Sequence, residues 1–179
     1  LVARRDAPKT GEPLGVEALD YRDLICVHLA LDVPRVNSDT WTYFPQPDLI
    51  FGRIHEPANW SETMAPSGRT SLCAEIFCSE GDAHWQRSDD ALVRATLNGL
   101  ERSGFLTTRP VLSSWVTRVR HAYPIYRIGY ADRLARVHRF LAQWPTLHLT
   151  GRTGQFQYLN MDAVIRQARQ LADRLVSFP

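Results

Sequence analysis

The stretch Leu147-His-Leu-Thr-Gly151-Arg152-Thr-Gly154-Gln-Phe156-Gln-Tyr158-Leu-Asn160-Met161-Asp162 decides how this chain is read. Residues 146–150 form a short β-rich run that ends at a glycine. A loop with a second glycine and two aromatics follows. A helical pattern then begins at Asn160-Met161-Asp162 and continues to residue 176. Ile165, Ala168, Leu171, Ala172 and Leu175 recur on one face of it. Glycine lets a backbone turn with positive φ or approach a ligand closely. A helix start directs unpaired N–H groups and partial positive charge outward, which suits an anion or an atom that gains negative charge. Asn160 as a plain N-cap explains the same residues, so generic physics leaves both readings open.

Upstream, strands dominate. Residues 24–31 (LICVHLAL) read as a buried strand. Trp41 to Phe44 and Leu49 to Ile54, joined through Pro45-Gln-Pro47-Asp48, read as a hairpin. A strand over 70–79 follows the turn Ala65-Pro-Ser-Gly68. Ser88 then caps a helix whose first turn holds Asp89 and Asp90, with Leu92, Val93, Thr96, Leu97 and Leu100 inward and Gly104 just past its end. A strand over 111–121 and a helix over 131–143, with Leu134, Val137 and Leu141 on one face, precede the closing stretch. The first 20 residues, with Pro8, Gly11, Pro13 and Gly15, read as a lead-in segment. The predicted class is α+β: a mostly antiparallel or mixed sheet packed with helices, followed by a C-terminal strand–loop–helix.

Composition narrows the function classes. Of 179 residues, 44% are hydrophobic and 22% charged, a globular balance and not a disordered one. Three cysteines are too few and too odd for a disulfide scaffold and read as thiols in a reducing cytoplasm. No apolar run approaches a membrane span, and residues 1–13 lack the apolar core of a signal peptide. A formal charge of +2 does not describe a nucleic-acid surface. Lys9 is the only lysine, so arginine supplies 20 of the 21 basic side chains.

Gly151-Arg152, Gly154, Phe156, Tyr158 and Asn160-Met161-Asp162, followed by Val164-Ile165, resemble the C-terminal flavin motif of the amine oxidase and protoporphyrinogen oxidase-like flavoproteins, near their UDP-galactopyranose mutase-like branch. Tyr21-Arg-Asp-Leu24, Trp41 to Phe44, Phe51-Gly-Arg-Ile-His-Glu56, Asn59-Trp-Ser61 and Ala122-Tyr-Pro-Ile-Tyr126 resemble segments of that family's substrate-domain sheet. The resemblance implies FAD as cofactor, with Gly151, Arg152, Gly154, Asn160, Met161 and Asp162 on the cofactor side. The start of the last helix would face the pyrimidine edge of the flavin and stabilise charge there. It implies a substrate-type domain over 1–145 and a flavin-domain segment over 146–179. The Gly-x-Gly-x-x-Gly unit that holds the ADP half does not occur in these residues. The expected parent is therefore a longer oxidoreductase that passes a hydride from a small-molecule substrate to flavin, and this piece alone is expected to be inactive. One alternative is a flavin-dependent isomerase. Tyr158 falls where the mutases carry a tyrosine near the sugar-nucleotide phosphate, but Asn160 stands where they carry aspartate. A noncatalytic interaction module is the other. The expected partners are a substrate and, through the exposed domain interface, a second copy of the chain.

Tyr123, Tyr126 and Tyr130 cluster ahead of a helix and read either as packing or as pocket lining, with Tyr126 and Tyr158 as the substrate-side candidates. Arg53, Arg118, Arg120 and Arg127 read most plainly as a solvated sheet face, with anion binding as the alternative. The five tryptophans read as core or rim. The six histidines have no zinc-type spacing, and Cys73 and Cys78 are not a Cys-x-x-Cys clip, so no metal site is expected. No Gly-x-Ser-x-Gly elbow occurs, and no residue is assigned as catalytic.

Overall fold

The run from Tyr21 to Leu31 forms strand β1, and its alternation builds the core. Ile25, Val27, Leu29 and Leu31 are fully buried on one face, while Cys26, His28 and Ala30 point to the other. The computed structural model describes residues 19–106 and 111–176. The predicted lead-in lies almost entirely outside the described residues.

Four more strands complete one sheet: β2 (Trp41–Tyr43), β3 (Arg53–His55), β4 (Thr70–Cys78) and β5 (Val111–Pro124), in the order β2-β3-β4-β1-β5. β1 and β4 run antiparallel over nine paired positions, from Asp23 opposite Cys78 to Leu31 opposite Thr70. β3 is antiparallel to both β2 and β4. The expected hairpin is present, with strands shorter than the sequence suggested. Pro45 and Pro47 cannot donate to a ladder, which confines pairing to three residues on each side. Two 3-10 turns, Pro57–Asn59 and Glu62–Met64, link β3 to β4.

Helix α1 (Asp89–Arg102) starts where its cap is. Ser88 Oγ accepts from the Ala91 N–H at 3.3 Å, and Asp89 and Asp90 occupy the first turn. Gly104 takes φ 71° just past its end. Leu92, Thr96 and Leu100 are buried, and Leu92 and Leu100 join Ile25, Val27, Leu29, Phe51, Ile54, Leu72 and Ile76 in one apolar cluster. Val93 and Leu97 pack at its margin.

Helices α2 (Tyr130–Leu141), α3 (Gly151–Gly154) and α4 (Met161–Val176) follow. The chain divides into two compact units: Tyr21–Ala122, and Tyr123 onward together with the segment ending at Asp20. Three sequence expectations are corrected in the second unit. Residues 146–150 form no strand among the described residues: Thr146 lies in a turn and 147–150 have no ladder partner, and a β-rich run becomes a strand only beside one. Gly151–Gly154 is one helical turn where a loop was expected. Helix α4 matches its predicted span, yet none of its residues is buried, and the expected inward residues Ile165 and Leu175 are 55% and 48% exposed.

Candidate functional site

In the second unit, the end of β5 turns through Ile125, whose N–H donates to the Asp20 carbonyl at 2.8 Å, and Arg127 pairs with the Asp20 carboxylate. Tyr126, ahead of α2, and Tyr130, its first residue, stack at 4.5 Å. Both rings lie about 6 Å from that of Phe156, which is 3% exposed. Phe156 adopts φ 51°, an unusual conformation for a side chain of that size, and its burial among the tyrosines holds it there.

Arg152 closes the loop ahead of α4. Its Nε and Nη2 both donate to the Leu159 carbonyl, at 3.0 and 2.6 Å. The guanidinium carbon lies 5.0 Å from the Tyr123 ring centre and 4.9 Å from that of Tyr158, and the two rings stack at 5.3 Å. Tyr126 Oη accepts from the Tyr158 N–H at 2.6 Å. Tyr126, Arg152 and Tyr158 are therefore brought together, with the two tyrosines about half exposed.

The remaining candidates flank this cluster. Gly151 (φ 76°) and Gly154 have no atom within 4 Å of the point a Cβ would occupy. Asn160 accepts the first α4 bond, from the Val164 N–H at 3.1 Å. Met161 is 78% exposed, and Asp162 pairs with Arg166 at 3.6 Å one turn on. The N–H groups of the first α4 turn have no partner within the helix. Open backbone at two glycines beside an exposed helix start fits a group that presents acceptor atoms to it. A cleft of about 630 Å³ lies between residues 145–148 and the apolar side of α4, lined by Pro145, His148, Leu171 and Leu175.

In the first unit, the sheet face away from the core is polar and aromatic. The register places Cys26 opposite Glu75 opposite Arg53, and His28 opposite Cys73 opposite His55 opposite Trp41. Arg53 is no solvated sheet residue. It is 11% exposed, pairs with Glu75 and lies 4.1 Å from the Trp41 ring centre. His55 Nδ1 sits 3.2 Å from the other Glu75 oxygen. Burial alone would push the Glu75 carboxyl up, but the bonds from His55 and Arg53 and the arginine charge hold it below the usual range. Arg118 bonds Asp89 at 2.6 Å and the Arg87 carbonyl at 2.7 Å, and Arg120 pairs with Glu80. Trp41, Trp60 and Trp115 are rim residues, at 39–50% exposure, while Trp85 packs against the core.

Spacing along the chain missed one grouping on this face. A sulfur from each of Cys26 and Cys73 and a ring nitrogen of His28 lie within 4.8 Å of one another. The Cys73 thiol hydrogen-bonds Cys26, which lowers the Cys26 pKa and, with burial, raises that of Cys73. Burial, aided by the nearby His55, pushes the His28 imidazole down. Cys78 faces the core instead, and burial pushes its thiol up to about 11.

No protein-family model matches the chain. Solved structures do. Reduced UDP-galactopyranose mutase superimposes with a TM-score of 0.75 over 89% of this chain, at 22% identity. A protein named as a protoporphyrinogen oxidase, from Exiguobacterium sp. 255-15, gives 0.67 over 89% at 23% identity. Putrescine oxidase bound to putrescine gives 0.55 over 88% at 16% identity. The chain has the fold that these structures share. The α+β class and the fold implied by the sequence resemblance are both borne out. The chain spans about a third of the length of these structures, 34% to 36%. No helix among the described residues is long and apolar enough to cross a membrane.

Proposed function

We propose that the chain is the substrate-side and closing portion of an FAD-dependent oxidoreductase of the amine oxidase type, whose nucleotide-binding unit lies in sequence beyond these 179 residues. The observation that carries this is the pairing of open backbone at Gly151 and Gly154 with the exposed start of α4, in a chain with that fold and a third of its length. The apolar side of α4 and the adjoining cleft supply the surface for the rest of the flavin domain. In this reading residues 1–145 serve the substrate and 146–179 the cofactor. Three free cysteines suit a reducing cytoplasm.

FAD, when bound, supplies a two-electron acceptor for oxidation of a small-molecule substrate. This chain's residues do the positioning. Arg152 holds the Leu159 carbonyl and so fixes the direction in which Asn160, Met161 and Asp162 enter α4. Gly151 and Gly154 keep the approach free of side chains. The N–H groups at Met161 and Asp162 offer donors and a positive helix end to a polar ring edge. Tyr126 and Tyr158 expose aromatic surface beside them. An isomerase reading is the second choice, favoured by the higher TM-score with UDP-galactopyranose mutase than with putrescine oxidase.

The test is flavin content after desalting. The chain alone should be colourless after incubation with FAD. The full-length gene product should retain flavin, and Gly154→Val in it should reduce occupancy. A full-length product without flavin would overturn the proposal. Oxygen uptake with an amine supports the oxidase, and sugar-nucleotide binding without net redox turnover supports the isomerase.

A further inference from the structure

The cluster of Cys26, His28 and Cys73 belongs to no part of the flavin reading. It is built wholly within the Tyr21–Ala122 unit, from neighbouring strands β1 and β4 whose register is continuous on both sides of it. The three donor atoms come within 4.8 Å of one another. Tetrahedral zinc with sulfur at about 2.3 Å and nitrogen at about 2.0–2.1 Å holds its ligand atoms roughly 3.5–3.8 Å apart. The donor atoms therefore need to draw in by about 1 Å to hold the ion.

We propose that Cys26, His28 and Cys73 form a zinc-binding site with a fourth position open to water or an outside donor. Two sulfurs and an imidazole are the donor set a borderline-soft d10 ion selects, and three protein ligands leave one coordination position. The surroundings hold the ligands in place. The His28 ring stacks on Trp115 at 4.9 Å and 10°, which fixes its plane. Glu75, directly opposite Cys26, is itself fixed by Arg53 and His55. Cys73 is buried and Cys26 and His28 are partly exposed, so an ion has an approach from one side. Binding displaces one proton from each thiol to solvent, and no redox partner is involved.

The competing fate of two nearby thiols is a disulfide. The register opposes it: Cys26 faces Glu75 and His28 faces Cys73, so the cysteines are diagonal neighbours. Diagonal Cα atoms sit about 7–8 Å apart, beyond the ~4.4–6.8 Å that disulfides span.

Cobalt titration of the reduced, metal-stripped 179-residue chain tests this. One Co2+ per chain should bind, with a thiolate-to-cobalt charge-transfer band and tetrahedral d–d bands, and zinc should displace it. Cys26→Ser and Cys73→Ser should each abolish the charge-transfer signature or weaken binding beyond the roughly 10–100-fold that loss of a supporting partner costs. His28→Gln should move the d–d bands. Cys78→Ala, on the opposite face, should change nothing. Far-UV circular dichroism checks that each variant folds, and Cys78→Ala separates a folded site from thiols of an unfolded chain. Absence of the charge-transfer band at one equivalent, its survival in both serine variants, or its loss in Cys78→Ala would overturn the site.

Discussion

The His121 N–H donates to Asp23 Oδ1 at 2.7 Å, joining residues 98 apart in sequence. Asp23 Oδ2 accepts from the Glu80 N–H at 2.6 Å, and the aspartate is 6% exposed. One buried carboxylate therefore ties the start of β1 to the exit of β4 and to β5. His121 sits at φ 55°, two residues before the chain passes into the second unit. Asp23→Ala should cost about 3 kcal/mol, since two bonds to a charged acceptor vanish and their donors lose their partner. His121→Gly should stay within about 1 kcal/mol, while His121→Val should cost more because a β-branched residue resists positive φ. Urea midpoints of the three variants decide this. An Asp23→Ala midpoint equal to wild type would remove the tie.

Helix-propensity reasoning gives the wrong sign at Gly99. Alanine in place of a mid-helix glycine ordinarily gains about 1 kcal/mol. In α1 the new Cβ would stand 2.8 Å from Phe51 Cε1 and 3.3 Å from Leu49 Cδ2. Phe51 is 1% exposed and anchored in the core, so it cannot swing away. Overpacking costs about 1–3 kcal/mol. Gly99→Ala should lower thermal stability, and Phe51→Leu should be less harmful in the Gly99→Ala background than alone. A stabilised Gly99→Ala would show that the core yields there.

What was legible in the sequence was local. Ser88 and Gly104 bracket α1 because capping chemistry acts over three or four residues. The α4 span was legible from its apolar period. Residues 146–150 were misread because β propensity says nothing about whether a ladder partner is present, and α4's inward face was misread because a period gives direction, not a covering surface. The grouping of Cys26 and His28 with Cys73 was invisible to spacing rules, since it depends on the register of β1 on β4. Only the i, i+2 alternation of Cys26 and His28 hinted that they share a face. Arg53 was misread because its partner Glu75 lies 22 positions away on the next strand.

Asp82 sets an acid-dependent component of stability. Its carboxylate accepts from the N–H groups of Ser79, His84 and Trp85 at 2.7, 2.9 and 2.8 Å. Burial pushes its pKa up, but these bonds and the nearby His84 outweigh it, and the net value lies below the ordinary 3.8. A depressed folded pKa contributes stability that is complete above the unfolded value and is lost as pH falls through the folded one. The stability gap between wild type and Asp82→Ala should be about 2 kcal/mol at neutral pH and should narrow only below about pH 4. Denaturant titrations across pH measure it. A gap that holds constant into strong acid would assign the effect to packing.

Arg152 is a positioning residue whose shape matters more than its charge. Two nitrogens of one planar group converge on the Leu159 carbonyl while the plane lies near the rings of Tyr123 and Tyr158. Lysine keeps the charge but has neither the fork nor the flat face. Arg152→Lys should therefore free the segment from Gly151 to Leu159, raising amide exchange there by roughly 10-fold, about 1.4 kcal/mol of lost local protection. Exchange within α1 should not change, since that helix belongs to the other unit. In the flavin-loaded full-length protein the same variant should lower FAD occupancy. If Arg152→Lys leaves exchange in the loop at wild-type rates, charge alone holds it, and the bonds to Leu159 do not set the entry into α4.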